Sequence, residues 1–320
     1  MKVLVVGGSG FIGTRLLDLL VAAGHEVGNL DLRSSAAHPG CTTLGDVRDT
    51  TAVRAACEGV DVVALLAAEH RDDVRPVSLY DEVNVDGARV VAAAAAQAGV
   101  QRIVFTSSVA VYGLDQPFPS EDAVPAPFND YGRTKLEAEA VLSAWALAGP
   151  ARSLEIVRPA VVFGENNRGN VYNLVKQVAS GRFLLVGDGS NRKSMGYVGN
   201  VAAFLAGRLE SAPGVHVTNY ADSPDLTTRE LVDLVRRTLG VDGAVRRLPL
   251  PVGVAAGHVA DVVARISGRS LPVSAVRVRK FSAETTVDTS RLRASGFVPG
   301  TGLADAVRAT VLAEFGPGAR

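Results

Sequence analysis

The 320-residue chain predicts an α/β fold, a parallel sheet covered by helices on both faces, followed by a smaller mixed part. Three observations carry that expectation. Apolar, β-branched strands alternate with helical patterns through the first half of the chain. The first strand runs directly into the glycine-rich turn Gly7-Gly8-Ser9-Gly10-Phe11-Ile12-Gly13. From about Gly164 the alternation gives way to turn-rich stretches such as Gly187-Asp188-Gly189-Ser190-Asn191.

Taken in order, Lys2-Val3-Leu4-Val5-Val6 reads as a buried strand, and Ile12, Leu16, Leu17, Leu19 and Leu20 form an apolar helical face over residues 11–23. Strand, glycine turn and helix in this order make a Rossmann-type dinucleotide site. Gly7 permits the tight turn, Gly10 lets the backbone approach a pyrophosphate, and Gly13 lets the helix lie close to the strand, so that the helix N-terminus offers free N–H groups to the anion. The spacing is Gly-x-x-Gly-x-x-Gly, a departure from the commoner Gly-x-Gly-x-x-Gly. A second strand over residues 26–30 ends at Asp31, close to the offset of about 20 residues at which a carboxylate accepts hydrogen bonds from the adenine ribose and repels a 2′-phosphate. That favours NAD over NADP, while Arg33, two residues on, is the residue that would hold such a phosphate instead. Asp46 and its neighbours Gly45-Asp46-Val47-Arg48-Asp49 follow a short strand, either flanking the adenine or forming a simple turn with an Asp cap.

The pattern continues as a strand over 60–67, a helix over 79–98, a strand over 102–106, a helix over 131–147 and a strand over 154–157. The expected fold is thus a doubly wound Rossmann-type domain over residues 1–164 that binds NAD. Residues 165–320 are expected to form mainly a smaller, mixed substrate-binding domain, some segments of which return to the first.

With 33 basic and 33 acidic residues, and no basic run, the chain has nothing to attract nucleic acid. Cys41 and Cys57 lack metal-ligand spacing, so neither a zinc site nor a disulfide framework is expected. The run Val3-Leu4-Val5-Val6 is too short for a signal peptide, which points to the cytoplasm.

The chemistry is expected in Ser108, Tyr131 and Lys135. Tyr131 and Lys135, four apart at a helix start, share a face, and an ammonium near a phenol favours the phenolate needed for proton abstraction. Ser108, at the C-terminal end of a strand, is placed where ligands bind in such sheets and can hydrogen-bond the reacting oxygen. The chain has five lysines (Lys2, Lys135, Lys176, Lys193 and Lys280), so one at this spacing is informative. His70, just past the fourth strand, either reaches a diphosphate or sugar or is a solvated loop residue.

On these residues, together with Asn84-Val85-Asp86-Gly87, Thr106-Ser107-Ser108-Val109-Ala110-Val111-Tyr112-Gly113 and Arg158-Pro159, the chain resembles the extended short-chain dehydrogenase/reductase superfamily nearly end to end. That superfamily contains the sugar-nucleotide epimerases and dehydratases. The resemblance implies that Ser108, Tyr131 and Lys135 oxidise a sugar hydroxyl to a ketone with NAD, and that Phe11, Ile12, Val47, Leu66, Ala67, Ala68, Asn84 and Pro159 also contact the cofactor. Dehydratases of the family carry Asp-Glu after the catalytic Ser/Thr; Val109 and Ala110 stand there, which leaves C4 epimerisation or reduction of a 4-keto sugar.

The strings over 65–74, 167–174 and 193–198 are similar to bacterial epimerases that convert N-acetylglucosamine to N-acetylgalactosamine on diphospho-undecaprenol for surface polysaccharides. In that likeness Asn170 and Lys193 contact the substrate diphosphate, Lys193 in place of a commoner Arg. Val161 stands where the UDP-galactose type has an Asn. A UDP-linked hexose or hexosamine epimerase and a 4-keto-sugar reductase are the alternatives, and a dinucleotide-binding regulator is the non-enzymatic one.

The apolar stretch over 248–269 is too interrupted by Gly, Asp and His to span a bilayer. It reads first as a helix packed on the smaller domain, and as the alternative a surface beside a membrane-held polyprenyl chain, with Arg265 and Arg269 near headgroups. The helices over 79–98 and 131–147 read as apolar on more than one side, so a homodimer through a four-helix interface is expected.

Overall fold

The computed structural model describes residues 1–71, 74–114, 116–243, 245–253, 255 and 283–317. The chain divides into two compact units. The first comprises Met1–Val162, Gly196–Ala221 and Val287–Thr301; the second comprises Phe163–Met195, Asp222–Thr286 and Gly302–Arg320.

The first unit is built on β1 (Lys2–Val6), α1 (Phe11–Ala22), β2 (Glu26–Asp31), β3 (Thr42–Leu44), α2 (Thr50–Ala56) and β4 (Val62–Leu65). It continues through the one-turn helix α3 (Ser78–Tyr80), α4 (Gly87–Ala98), β5 (Arg102–Thr106), α5 (Asp130–Leu147) and β6 (Ser153–Pro159). Beyond the short strand β7 (Val161–Phe163), the chain leaves for the second unit and comes back with α7 (Val198–Ala206) and β10 (Gly214–Tyr220). The sheet has seven strands in the order β10-β6-β5-β4-β1-β2-β3, every pairing parallel. Alternate residues of β1 serve opposite cores. Leu4 and Val6 pack with Val53, Val91, Ala95, Leu142 and Trp145 on one face, while Val3 and Val5 pack with Leu16, Leu17, Leu20, Val201 and Phe204 on the other. Both faces being covered explains why the strands are nearly continuous apolar runs.

The strand expected over 60–67 is trimmed to Val62–Leu65, and the one expected over 154–157 extends to Ser153–Pro159 because β10 pairs along its whole length. The helix expected over 79–98 is interrupted: α3 and α4 are joined by a π-helical turn, Asp81–Asp86, that carries the buried Asn84. The helix expected over 131–147 starts one residue earlier, where the Asn129 side chain accepts from the Gly132 N–H at 2.9 Å and caps it. Both long helices present less bulky apolar surface than their sequence suggests. Asp86, Arg89, Ala93, Ala96 and Gln97 are the exposed positions around α4, and Ala140, Ala144 and Leu147 those of α5. Alanine scores as apolar in a sequence pattern yet leaves little surface to bury.

The second unit pairs β8 (Leu184–Val186) with β12 (Arg246–Leu248) in parallel and β9 (Arg192–Tyr197) with β11 (Asp222–Thr227) antiparallel. Helices α6 (Asn170–Ala179) and α8 (Thr228–Leu239) belong to it, α8 opening on a Thr227/Glu230 capping box and closing at Gly240. The short helix α9 (Ser290–Ala294) lies in the first unit and α10 (Leu303–Phe315) in the second. Asp72, Asp73 and the stretch over 256–282, with Arg265 and Arg269, lie outside the described residues. Among the described residues no helix is long and apolar enough to cross a membrane.

Candidate active site

The glycine turn is held by backbone contacts that leave no room for side chains. Gly7 sits at φ +90°, and a Cβ there would lie 2.5 Å from the Ala67 backbone nitrogen; a Cβ on Gly13 would lie 2.6 Å from the Gly7 carbonyl oxygen. Leu66 and Ala67 both donate their N–H groups to the Val6 carbonyl, at 2.8 and 2.9 Å, which places residues 66–68 against the turn. From the other side, buried Asn29 accepts from Gly8 N–H at 2.9 Å and donates to the Ser9 hydroxyl at 3.0 Å. Helix α1 begins at Gly10 with no side-chain cap and no acid in its first turn, so Phe11, Ile12 and Gly13 open an N-terminus suited to a pyrophosphate. Asp31 ends β2 with its two oxygens accepting from Ser9 N–H, at 2.9 Å, and Arg33 N–H, at 3.0 Å. Its carboxylate is thereby fixed at the mouth of the turn, and the Arg33 side chain is exposed. These groups fit an NAD molecule.

Three of the expected cofactor contacts also make contacts within the protein. Asp46 is gripped by Arg48, whose Nη2 lies 2.7 Å from it and whose hydrogen bonds hold the carboxyl below the usual range. Val47 is buried and packs against Gly87. Asn84 accepts from Glu69 N–H at 2.8 Å and donates to the Glu69 carbonyl at 3.0 Å and the Thr134 hydroxyl at 2.9 Å. Its amide therefore clamps the loop leading to His70 onto α5, a positioning task. Pro159 is buried at the end of β6, and His70 is exposed.

Ser108 follows β5 directly and caps the 3-10 turn Val109–Tyr112, its hydroxyl accepting from Ala110 N–H at 3.2 Å. Tyr131 and Lys135 face this strand end from the first turns of α5. A hydrogen bond with Ser108 lowers the Tyr131 pKa, but burial outweighs it and holds the phenol above its ordinary value. Lys135 is buried, donates to the Thr106 carbonyl at 2.8 Å and lies 4.7 Å from the Phe105 ring centroid. Burial pulls it down to about 7, against an upward pull from Glu139. The expected lowering of the tyrosine by the lysine charge is thus corrected: desolvation acts on both groups and favours the neutral forms.

Tyr–OH/Lys–NH₂ and Tyr–O⁻/Lys–NH₃⁺ carry the same proton count, so the basic form needs one proton removed from the two groups together. The first proton leaves the pair near the lysine value of about 7. Activity should therefore rise as pH increases through roughly 7, because below it the pair holds both protons and Tyr131 cannot act as a base. A pH profile of kcat/KM checks this; a plateau running unchanged down to about pH 5 would contradict it.

In the second unit, Asn170 is exposed at the first position of α6. Lys193, half-buried on β9, donates to the Ala283 carbonyl at 2.5 Å and is lowered to about 8 by burial. Asp225 nearby is raised by burial while accepting from the Ser194 hydroxyl at 2.7 Å. Sequence reasoning passed over Asn29 and Glu139. For Glu139 a signal existed: residues 131, 135 and 139 form one i, i+4, i+8 ladder on α5.

The family model described as the NAD dependent epimerase/dehydratase family matches residues 3–220. An Escherichia coli O157:H7 protein named N-acetyl-alpha-D-glucosaminyl-diphospho-ditrans,octacis-undecaprenol 4-epimerase is 48% identical over 316 residues, covering 98% of this chain and 95% of its own length. A Vibrio cholerae UDP-glucose 4-epimerase is 28% identical, over 83% of this chain and 85% of its own. Among solved structures, the Thermus thermophilus UDP-glucose 4-epimerase in complex with NAD is similar at a TM-score of 0.76 and 26% identity, over 100% of both chains.

Proposed function

The chain belongs to the NAD dependent epimerase/dehydratase family and its cofactor is NAD; from that premise we propose that it inverts C4 of an N-acetylhexosamine diphosphate, N-acetylglucosamine to N-acetylgalactosamine, on undecaprenyl diphosphate. The observation that carries this reading is the near full-length likeness to the E. coli lipid-linked 4-epimerase, laid over an intact Ser108, Tyr131 and Lys135 set. Such a step belongs to surface-polysaccharide assembly.

When bound, NAD supplies hydride uptake and return at C4. Tyr131 accepts the proton of the C4 hydroxyl and later gives it back; Lys135 stabilises the phenolate; Ser108 donates to the C4 oxygen, whose carbonyl character the oxidation develops. The glycine turn and Asp31 hold the dinucleotide. Val109 and Ala110 offer no acid or base to neighbouring carbons, which excludes elimination from this set. Asn170 and Lys193 are assigned to the diphosphate, where the lysine acts as a point charge.

A homodimer through the outer faces of α4 and α5, and residence at the inner face of the membrane where a polyprenyl substrate lies, complete the proposal. The first unit is assigned to the cofactor and the second mainly to the substrate. Turnover should need no added reductant, and a deuterium at C4 of the substrate should be retained in the product. Stoichiometric consumption of NADPH would replace the epimerase reading with a ketoreductase.

A further inference from the structure

Behind the reactive face of α5 lies a closed polar cluster in the first unit. Lys135 is 2% exposed, Glu139 5% and Arg158 5%. Arg158, on β6, grips Glu139 with Nε to Oε1 at 2.9 Å and Nη2 to Oε2 at 2.6 Å, a bidentate pair. The Ser107 hydroxyl donates to the same Oε1 at 2.5 Å, and the Lys135 ammonium donates to the carbonyl of Thr106, the residue before it. Arg158 Nη1 donates to the Tyr112 hydroxyl at 2.7 Å, which donates onward to Asn219 Oδ1 at 2.8 Å. Residues 106 and 107 are thus tied on their outgoing side to α5, and Ser108 is the next residue along.

With Lys135 protonated, the charges do not cancel. Arg158 is ion-paired with Glu139, which also pulls on Lys135, so one carboxylate then stands against two cations; Tyr112 is a neutral phenol, and Glu121, farther along the network, has Arg291 3.7 Å away. The remaining positive charge lies beside Tyr131, one turn before Lys135, so ionising Tyr131 neutralises the cluster. A buried cation without a full counter-charge is costly, and a phenolate at Tyr131 supplies that counter-charge.

We propose that Glu139 and Arg158 are a pair of positioning residues that set the charge on Lys135 from behind and fix the Ser107–Ser108 end of β5, so that the buried site stabilises the phenolate of Tyr131. Glu139 draws positive charge onto Lys135; Arg158 claims part of that carboxylate and limits the draw. Neither residue needs to touch the substrate. The proposal rests on the Tyr131/Lys135 acid–base reading above.

Its test is the pH profile of kcat/KM for the full chain and for Glu139→Gln and Arg158→Gln, with NAD content and circular dichroism recorded for each. Glu139→Gln leaves two cations without a carboxylate, so the acid limb should move down by about one pH unit or more, and the plateau should fall at least about tenfold. Arg158→Gln leaves Glu139 entirely to Lys135, so its limb should move up by about half a unit or more. Opposite shifts are a signature that a merely structural loss cannot produce. Limbs that stay at the wild-type pH, or that move the same way, overturn the proposal. Each variant is read independently. If neither folds, Ser107→Ala removes only the donor to Glu139 Oε1 and should move the limb up; an unmoved limb there overturns it equally. An active Tyr131→Phe enzyme would instead overturn the underlying acid–base reading.

Discussion

Tyr131→Phe should lower kcat at least about 10²-fold, the ordinary cost of removing a general acid–base group, while leaving the fold and bound NAD in place. Only the phenolic oxygen is lost, and the ring keeps its packing at the start of α5. Ser108 is an alcohol that serves as a hydrogen-bond partner, and Lys135 is turned to the Thr106 carbonyl, so neither replaces the lost phenol. The measurement is single-turnover conversion of the sugar, paired with NAD content of the purified variant. Turnover within a few-fold of wild type would show that another residue is the base.

Gly7→Ala should cost both stability and bound NAD. The added Cβ would meet Ala67 backbone atoms at 2.5 and 2.7 Å, and φ at this position is +90°, so strain and collision add. Backbone cannot swing aside as a flexible side chain does. A destabilisation of about 2–4 kcal/mol is expected, with loss of bound NAD because the displaced residues 66–68 and α1 start are the cofactor's cradle. Gly28→Ala is the control: its Cβ would meet only the Leu4 side chain, at 3.7 Å, and should change stability little. Thermal unfolding with NAD quantified in the same preparation decides it. A Gly7→Ala protein with wild-type melting and full NAD would contradict this reading of the turn.

What was legible in the sequence follows the range over which each signal acts. The glycine turn, β1 and α1 are adjacent in the chain, and their spacing carries the geometry directly. Tyr131 and Lys135 are one turn apart, so their shared face needs only helix periodicity. Glu139 continues that same face, but a glutamate eight residues along a charged helix reads as solvated; its partners, Arg158 and Ser107, are brought to it only by the β5–β6 pairing. Asn84 stands out in the sequence through its family string, whereas the π-helical turn that brings its amide to Glu69 and Thr134 has no sequence signature. The direction of the tyrosine shift failed for another reason. Charge proximity is visible in spacing, while the desolvation that outweighs it depends on what the whole sheet end buries. Strand β10 likewise pairs with β6 across a long stretch of intervening chain, Gly214 opposite Ser153, beyond any local pattern.

The proposed reaction is a C4 epimerisation whose substrate is carried on a lipid diphosphate. It is tested most directly by offering the enzyme, with NAD and no reductant, N-acetylglucosaminyl diphospho-undecaprenol and UDP-N-acetylglucosamine in parallel, and identifying the hexosamine released by hydrolysis. N-acetylgalactosamine should form from the lipid-linked sugar at a much higher rate than from the UDP sugar. Efficient epimerisation of the UDP sugar with none on the lipid would contradict the claim.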